Sequence, residues 1–232
     1  MQTAQRRHPE SKSPVAIPDA RRSAAPADHL GKDSRTARYR TLVLVLALGG
    51  LRFGEATALR RSDVLDAGRR LRVQRGVRYV AGRWLVGDPK TEAGRRTVSL
   101  PATAAAALAD HLERYVGAED DALVFGTSAG TFLHSANFGQ TFRRAVQAAG
   151  LPPVRPHELR HTGATLAAAT GASTKELMRR MGHSSAAAAL IYQHATDDRD
   201  DQIARALDGL LAATAGPTTG REAVDRQVTL VP

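Results

Sequence analysis

Two arginines, several histidines and a tyrosine carry the chemistry this chain could perform. Arg52 sits in Gly50-Leu51-Arg52-Phe53-Gly54-Glu55, and His157-Glu158-Leu159-Arg160-His161-Thr162 lies about a hundred residues on. Met181-Gly182-His183-Ser184-Ser185 comes next, and Tyr192 stands nine residues after His183. A guanidinium fork matches two non-bridging phosphate oxygens. An imidazole accepts or shares a proton near neutral pH. A phenol, with an ordinary pKa of about 10, attacks only when its proton is taken and cations stabilise its oxyanion. Together these groups suit phosphoryl transfer to a tyrosine.

Spacing favours a single site. A helix opened by Pro156 puts His157 and Arg160, three residues apart, on one face near its positive end. A phosphate there would meet helix dipole, guanidinium and imidazole together. His183, in a loop between two helices, and Tyr192 could reach the same cleft. The same residues also spell H-E-x-x-H, the zinc metalloprotease signature, with His157 and His161 as ligands and Glu158 as general base. His183 or Glu176 could be offered as its third ligand. Against that reading, Arg160 lies on nearly the same face and opposes a cation, and Pro156 puts His157 in the first turn. It also leaves Arg52, Lys90 and Tyr192 without a role.

Taken in order, these stretches resemble the catalytic domain of the tyrosine recombinase (phage integrase) family. The resemblance runs from about residue 39 to 211 and includes Pro89-Lys90-Thr91 as a lysine hairpin. It implies DNA strand cleavage and rejoining through a 3′-phosphotyrosyl bond, in service of integration or excision of a mobile element. Arg52 and Arg160 would clamp the scissile phosphate, and Lys90 would protonate the 5′-oxygen leaving group. His157 would take the tyrosine's proton and return it on reversal, His183 would bond a phosphate oxygen, and Tyr192 would attack phosphorus. Glu55 would be an accessory carboxylate orienting the basic cluster. His161 is expected to be a buried structural histidine. No metal or nucleotide cofactor is implied. The implied partners are double-stranded DNA at attachment sites, further protomers in a tetramer on DNA, and accessory DNA-bending or directionality proteins. A DNA-binding remnant without activity is the alternative on the same residues.

Several elements must position these groups. Residues 1–35, with four prolines and no apolar period, read as a basic arm or linker, residues 36–214 as the catalytic domain, and residues 215–232 as a loose tail. Relatives of the family place a helical core-binding domain before the catalytic one. The arm is too short to build it, so weak duplex binding and no completed recombination are expected of this chain. Tyr39, Leu42, Val43 and Leu46 recur at helical spacing before Gly49-Gly50, although Leu-Val-Leu-Val-Leu-Ala-Leu also allows a strand. A short helix is expected over 55–59. Leu71, Val73, Val77 and Tyr79 alternate, Ala81-Gly82 turns, Trp84 and Val86 continue, and Thr97-Val98-Ser99-Leu100 completes a three-stranded antiparallel sheet. The rest reads as helices. One is opened by Pro101 with Leu108, Leu112 and Tyr115 on one face. Others cover 135–149, 156–170, the capping box Ser173-x-x-Glu176 up to Gly182, 185–194 and 196–213. The fold expected is therefore α+β, mainly helical. In the last helix Ile203, Leu207, Leu210 and Leu211 form an apolar stripe suited to a neighbouring protomer or to the chain's own core.

Composition narrows the partners. The chain of 232 residues has no cysteine, which excludes disulfides, a thiol nucleophile and cysteine-ligated metals. Its net charge is +10. Residues 1–40 hold nine basic and four acidic side chains, residues 41–100 twelve and five, and residues 101–232 twelve and fourteen. A basic first half points to a polyanion, most simply nucleic acid. The longest uncharged apolar stretch, 42–51, is about half of the ~20 residues a membrane span needs, and no secretory leader is evident. The expected location is the cytoplasm, at the nucleoid.

Overall fold

The apolar run after Arg38 is a helix, Arg38–Gly49 (α2), and it is buried on nearly every side. In the computed structural model the described residues are 20–34, 36–89 and 92–182. α2 shows no polar face because neighbours cover it all round: Ala20–Lys32 (α1), Ala102–Tyr115 (α4) and Pro156–Ala169 (α6). That encirclement also explains why its pattern allows a strand. Gly50, at φ +67°, ends α2 by donating its N–H to the Leu46 carbonyl, a left-handed cap that glycine adopts without steric cost.

Within the arm expected over 1–35, residues 20–32 form the helix α1. Ala27 and Leu30 are fully buried, and α1 packs on α2 and on Ser135–Ala148 (α5). Its alanines and the internal Pro26 hide the helical period, since small residues bury a face without marking it. Residues 1–19 lie outside the described residues. So do the expected helices over 185–194 and 196–213, with their apolar stripe, and the tail over 215–232.

The three-stranded antiparallel sheet is present, but with different strands. It is ordered Val64–Leu65 (β1), Arg70–Val73 (β2) and Arg96–Ser99 (β5), with Leu71 opposite Val98. The long strand expected from 71 to 79 breaks at Gln74-Arg75. There both side chains turn back to the buried carboxylate of Asp63, Gln74 at 2.8 Å and Arg75 as an ion pair. Beyond the break, Gly76–Val80 (β3) and Arg83–Gly87 (β4) form a separate hairpin. The hairpin docks through Gly54 of the short helix Phe53–Ala56 (α3), where a Cβ would collide with the Val77 carbonyl oxygen.

One expected face also rotates. In α4 the buried residues are Ala104, Ala105, Leu108 and His111, while Tyr115 is exposed. His111 lies between the rings of Phe125 and Tyr115 and donates Nε2–H to the Val124 carbonyl at 2.7 Å. Burial holds its pKa below the ordinary histidine value, so it is packed as the neutral ring. Helix Thr174–Met181 (α7) forms on its capping box, with the Ser173 Oγ accepting from the Glu176 N–H, and ends at Gly182, φ +64°. Among the described residues no helix is long and apolar enough to cross a membrane.

Candidate active site

Four arginines meet at the C-terminal end of α7. Helix C-termini leave their last carbonyls unpaired and carry partial negative charge. Here three consecutive carbonyls are each taken by a different guanidinium. Arg96 Nε donates to the Arg180 carbonyl at 2.8 Å, Arg160 Nη2 to that of Met181, and Arg52 Nη2 to that of Gly182 at 3.4 Å. Arg180, on the same turn, donates to Leu48 O at 2.7 Å and Ser99 O at 3.2 Å. Residues far apart in sequence are thereby gathered directly before His183.

Each guanidinium has a local reason to be there. Arg52 comes after the glycine turn and forms the N-cap of α3, whose Glu55 returns its carboxylate to the Arg52 N–H at 2.9 Å and Nη1 at 2.8 Å. Arg160 is buried and also bonds the Gly50 carbonyl. It reaches that turn because Gly163, one helical turn later, lets α6 approach α2 closely. A Cβ at Gly163 would lie 2.5 Å from the Ala47 carbonyl oxygen and 3.3 Å from Gly50 Cα. Gly50 in turn faces Met181, whose Sδ would be 2.7 Å from a Cβ there.

Glu55 is the buried anion of the cluster. Besides the Arg52 bonds it accepts Nη2 of Arg96 at 2.9 Å and Nη1 at 3.3 Å. Burial pushes this carboxyl up, but hydrogen bonds and charge from Arg96, with the bonds from Arg52, outweigh it and hold the pKa below the ordinary value. It is therefore ionised at neutral pH. A buried carboxylate is tolerable only when its lone pairs are matched in this way.

His157, in the first turn of α6, is exposed, and its ring meets that of His161 edge-on at 5.0 Å. His161 is also exposed, which corrects its expected burial. α6 turns its Leu159-Arg160 and Gly163–Thr165 side inward, leaving 157, 158, 161 and 162 outside that face. The His161 pKa is lowered by partial desolvation, then by His157 and Arg160. Glu158 accepts the Arg155 N–H at 2.5 Å and caps α6. Among the described residues no group of three His, Cys, Asp or Glu side chains has metal-holding geometry. The structure thus brings Arg52, Glu55 and Arg160 together and sets His157 one turn before Arg160. Lys90, His183 and Tyr192 lie outside the described residues.

Two members of the cluster, Arg96 and Arg180, belong to no motif singled out in the sequence. Arg96 carries a usable signal all the same. It alternates with Val98 and Leu100 on the inward side of β5, and a charge at an inward position demands a buried partner.

A model described as the phage integrase family matches residues 24–199. The chain belongs to that family. It is 43% identical over 174 residues to a phiRv2 prophage protein of Mycobacterium tuberculosis named as an integrase, covering 74% of this chain and 46% of that protein. It is 39% identical over 180 residues to the integrase of Mycobacterium phage D29, covering 76% and 48%. This phage integrase family chain thus spans about half the length of the curated relatives it matches. Its fold is that of the Tn1549 transposon integrase solved with transposon right end DNA, at TM-score 0.69, 24% identity, and 88% and 67% of the two chains. The XerA recombinase shares the fold at TM-score 0.62 and 24% identity, over 92% and 68%. Both expectations, the family and a mainly helical α+β fold, hold.

Proposed function

We propose that this chain is the catalytic part of a site-specific DNA recombinase that cleaves and rejoins strands through a 3′-phosphotyrosyl bond. The observation that carries the reading is the convergence of Arg52 and Arg160 on adjacent carbonyls, Gly182 and Met181, immediately before His183. In the free protein those carbonyls satisfy guanidinium donors; on DNA a scissile phosphate is the stronger acceptor for the same forks. Arg52 and Arg160 then stabilise the charge that develops on the phosphorane. His157, at the positive end of α6, accepts the Tyr192 proton as its oxygen bonds to phosphorus. Lys90 gives a proton to the departing 5′-oxygen, and His183 bonds a non-bridging oxygen. Reversal returns each proton and rejoins the strand. Glu55 holds the Arg52 side chain in place.

The substrate is duplex DNA at attachment sites, and the work is integration or excision of a mobile element. Further protomers assemble on the DNA, with accessory bending or directionality proteins, in the cytoplasm at the nucleoid. The charge excess of residues 41–100 supplies phosphate contacts. Support for a polynucleotide substrate comes from the family and from that charge. The test is metal-free: supercoiled plasmid in EDTA should be relaxed, and Arg160→Ala should abolish relaxation. Relaxation that depends on added zinc or magnesium would contradict the reading.

A further inference from the structure

The buried partner of Glu55 has no role in the phosphoryl-transfer steps, yet it bonds Glu55 and the carbonyls of Gly94 and Arg180 at once. Arg96 holds Glu55 with both terminal nitrogens, at 2.9 and 3.3 Å. Its Nη1 also donates to the Gly94 carbonyl at 3.0 Å, at the end of the connection that contains Lys90. Its Nε donates to the Arg180 carbonyl at 2.8 Å. The backbone of Gly182 lies directly on the guanidinium, so that a Cβ there would come within 2.8 Å of Nη1. The side chain is only 3% exposed, too deep to meet DNA itself.

We infer that Arg96 is a positioning residue: it fixes the Glu55 carboxylate, and through it the Arg52 guanidinium, while anchoring the backbone at Gly94 and Arg180. The chemistry explains why an arginine is needed. The Arg52 side chain is half exposed, and the ion pair that orients it is the one with Glu55 at 2.8 Å. A carboxylate bonded only to Arg52 could rotate with it. Bonded on its other side to a planar fork inside the core, it becomes a fixed point. Lysine keeps the charge but supplies no fork, and it cannot span Glu55, Gly94 and Arg180 at once. This role rests on the proposed phosphoryl transfer for its consequence, but its structural half can be read without DNA.

The experiment therefore has two arms on the full chain. Arginine side-chain ¹H–¹⁵N spectra of Arg96→Lys, with Arg52 assigned through Arg52→Lys, should show the Arg52 Nε signal moved toward the solvent-exposed position. Single-turnover formation of protein-bound DNA on supercoiled plasmid in EDTA should fall about 10- to 100-fold, the scale of a small misplacement of a reacting group. Plasmid affinity should change less than about twofold, because Arg96 makes no phosphate contact. Arg52→Ala should cost less in this background than in the wild type, since the part of the Arg52 contribution that depends on its orientation is already lost. A merely structural Arg96 gives additive losses and an unmoved Arg52 signal, and either result overturns the proposal. If Arg96→Lys does not fold, Arg96→Gln with Glu55→Gln leaves no unpaired buried charge. An unmoved Arg52 signal in that variant is equally fatal. Absence of any wild-type adduct would strike the recombinase reading and leave the spectral arm to decide on Arg96.

Discussion

Gly163→Ala tests whether close helix packing, rather than any group that touches DNA, sets the reach of Arg160. Gly163 is in the interior of α6, so helix propensity alone would make alanine better by about 1 kcal/mol. The structure opposes this. The new Cβ would stand 2.5 Å from the Ala47 carbonyl oxygen, and a normal contact requires α6 and α2 to part by ~0.9 Å. The obstacle is backbone on both sides, so no side-chain rotation relieves it. Overpacking of this kind costs about 1–3 kcal/mol. Set against the propensity gain, the net expectation is a loss of about 1 kcal/mol. The effect on chemistry should be larger than that on stability. Arg160 is one turn away, and a shift approaching 1 Å at a reacting group is worth about 10²-fold in rate. Urea unfolding gives the first number, and the rate of protein-bound DNA formation on plasmid gives the second. A variant that is about 1 kcal/mol more stable than the parent, with an unchanged rate, would refute the packing argument.

The same geometry sets three other outcomes. Arg160→Ala leaves the Gly50 and Met181 carbonyls without their donor, so it should cost about 2–4 kcal/mol in urea unfolding besides abolishing cleavage. Glu55 is held below the ordinary carboxyl value, about 4.5, with burial opposed by Arg96 and Arg52. Its folded state therefore binds the proton less readily than the unfolded chain, and its contribution is full above about 4.5 and lost as pH falls through the lower folded pKa. The stability gap between wild type and Glu55→Gln should accordingly shrink on acidification below about pH 4.5; a gap that widens there would contradict the assignment. Lys90→Ala should lose cleavage and regain it when the leaving 5′-oxygen is replaced by sulfur, which departs without a proton; no regain would remove Lys90 from the general-acid role.

The parts of the site that rest on short motifs are legible in the sequence. The capping box at Ser173, the proline-opened helix carrying His157 and Arg160, and the glycine turn before Arg52 each specify their own geometry within a few residues. The illegible parts depend on partners distant in sequence. The Glu55–Arg96 pair spans 41 residues, and only the inward register of β5 hints that Arg96 needs an acid. The break between β2 and β3 is imposed by Asp63, which draws Gln74 and Arg75 out of an alternating pattern that otherwise runs through Tyr79. α1 escapes a periodicity reading because Ala27 and Leu30 form a sparse apolar stripe next to Pro26, and its burial comes from α2 and α5. His161 reads as buried because its helix is apolar beyond it, but the rotation of α6 turns that position outward.

The proposed reaction joins a tyrosine of this chain to DNA without a metal. The most direct measurement incubates the full chain with plasmid DNA in EDTA, quenches in denaturant, digests both polymers, and identifies the modified peptide by mass spectrometry. A nucleotide should be attached through its 3′-phosphate to Tyr192, present in the wild type and absent in Tyr192→Phe. An adduct on any other residue, or one that survives in Tyr192→Phe, would contradict it.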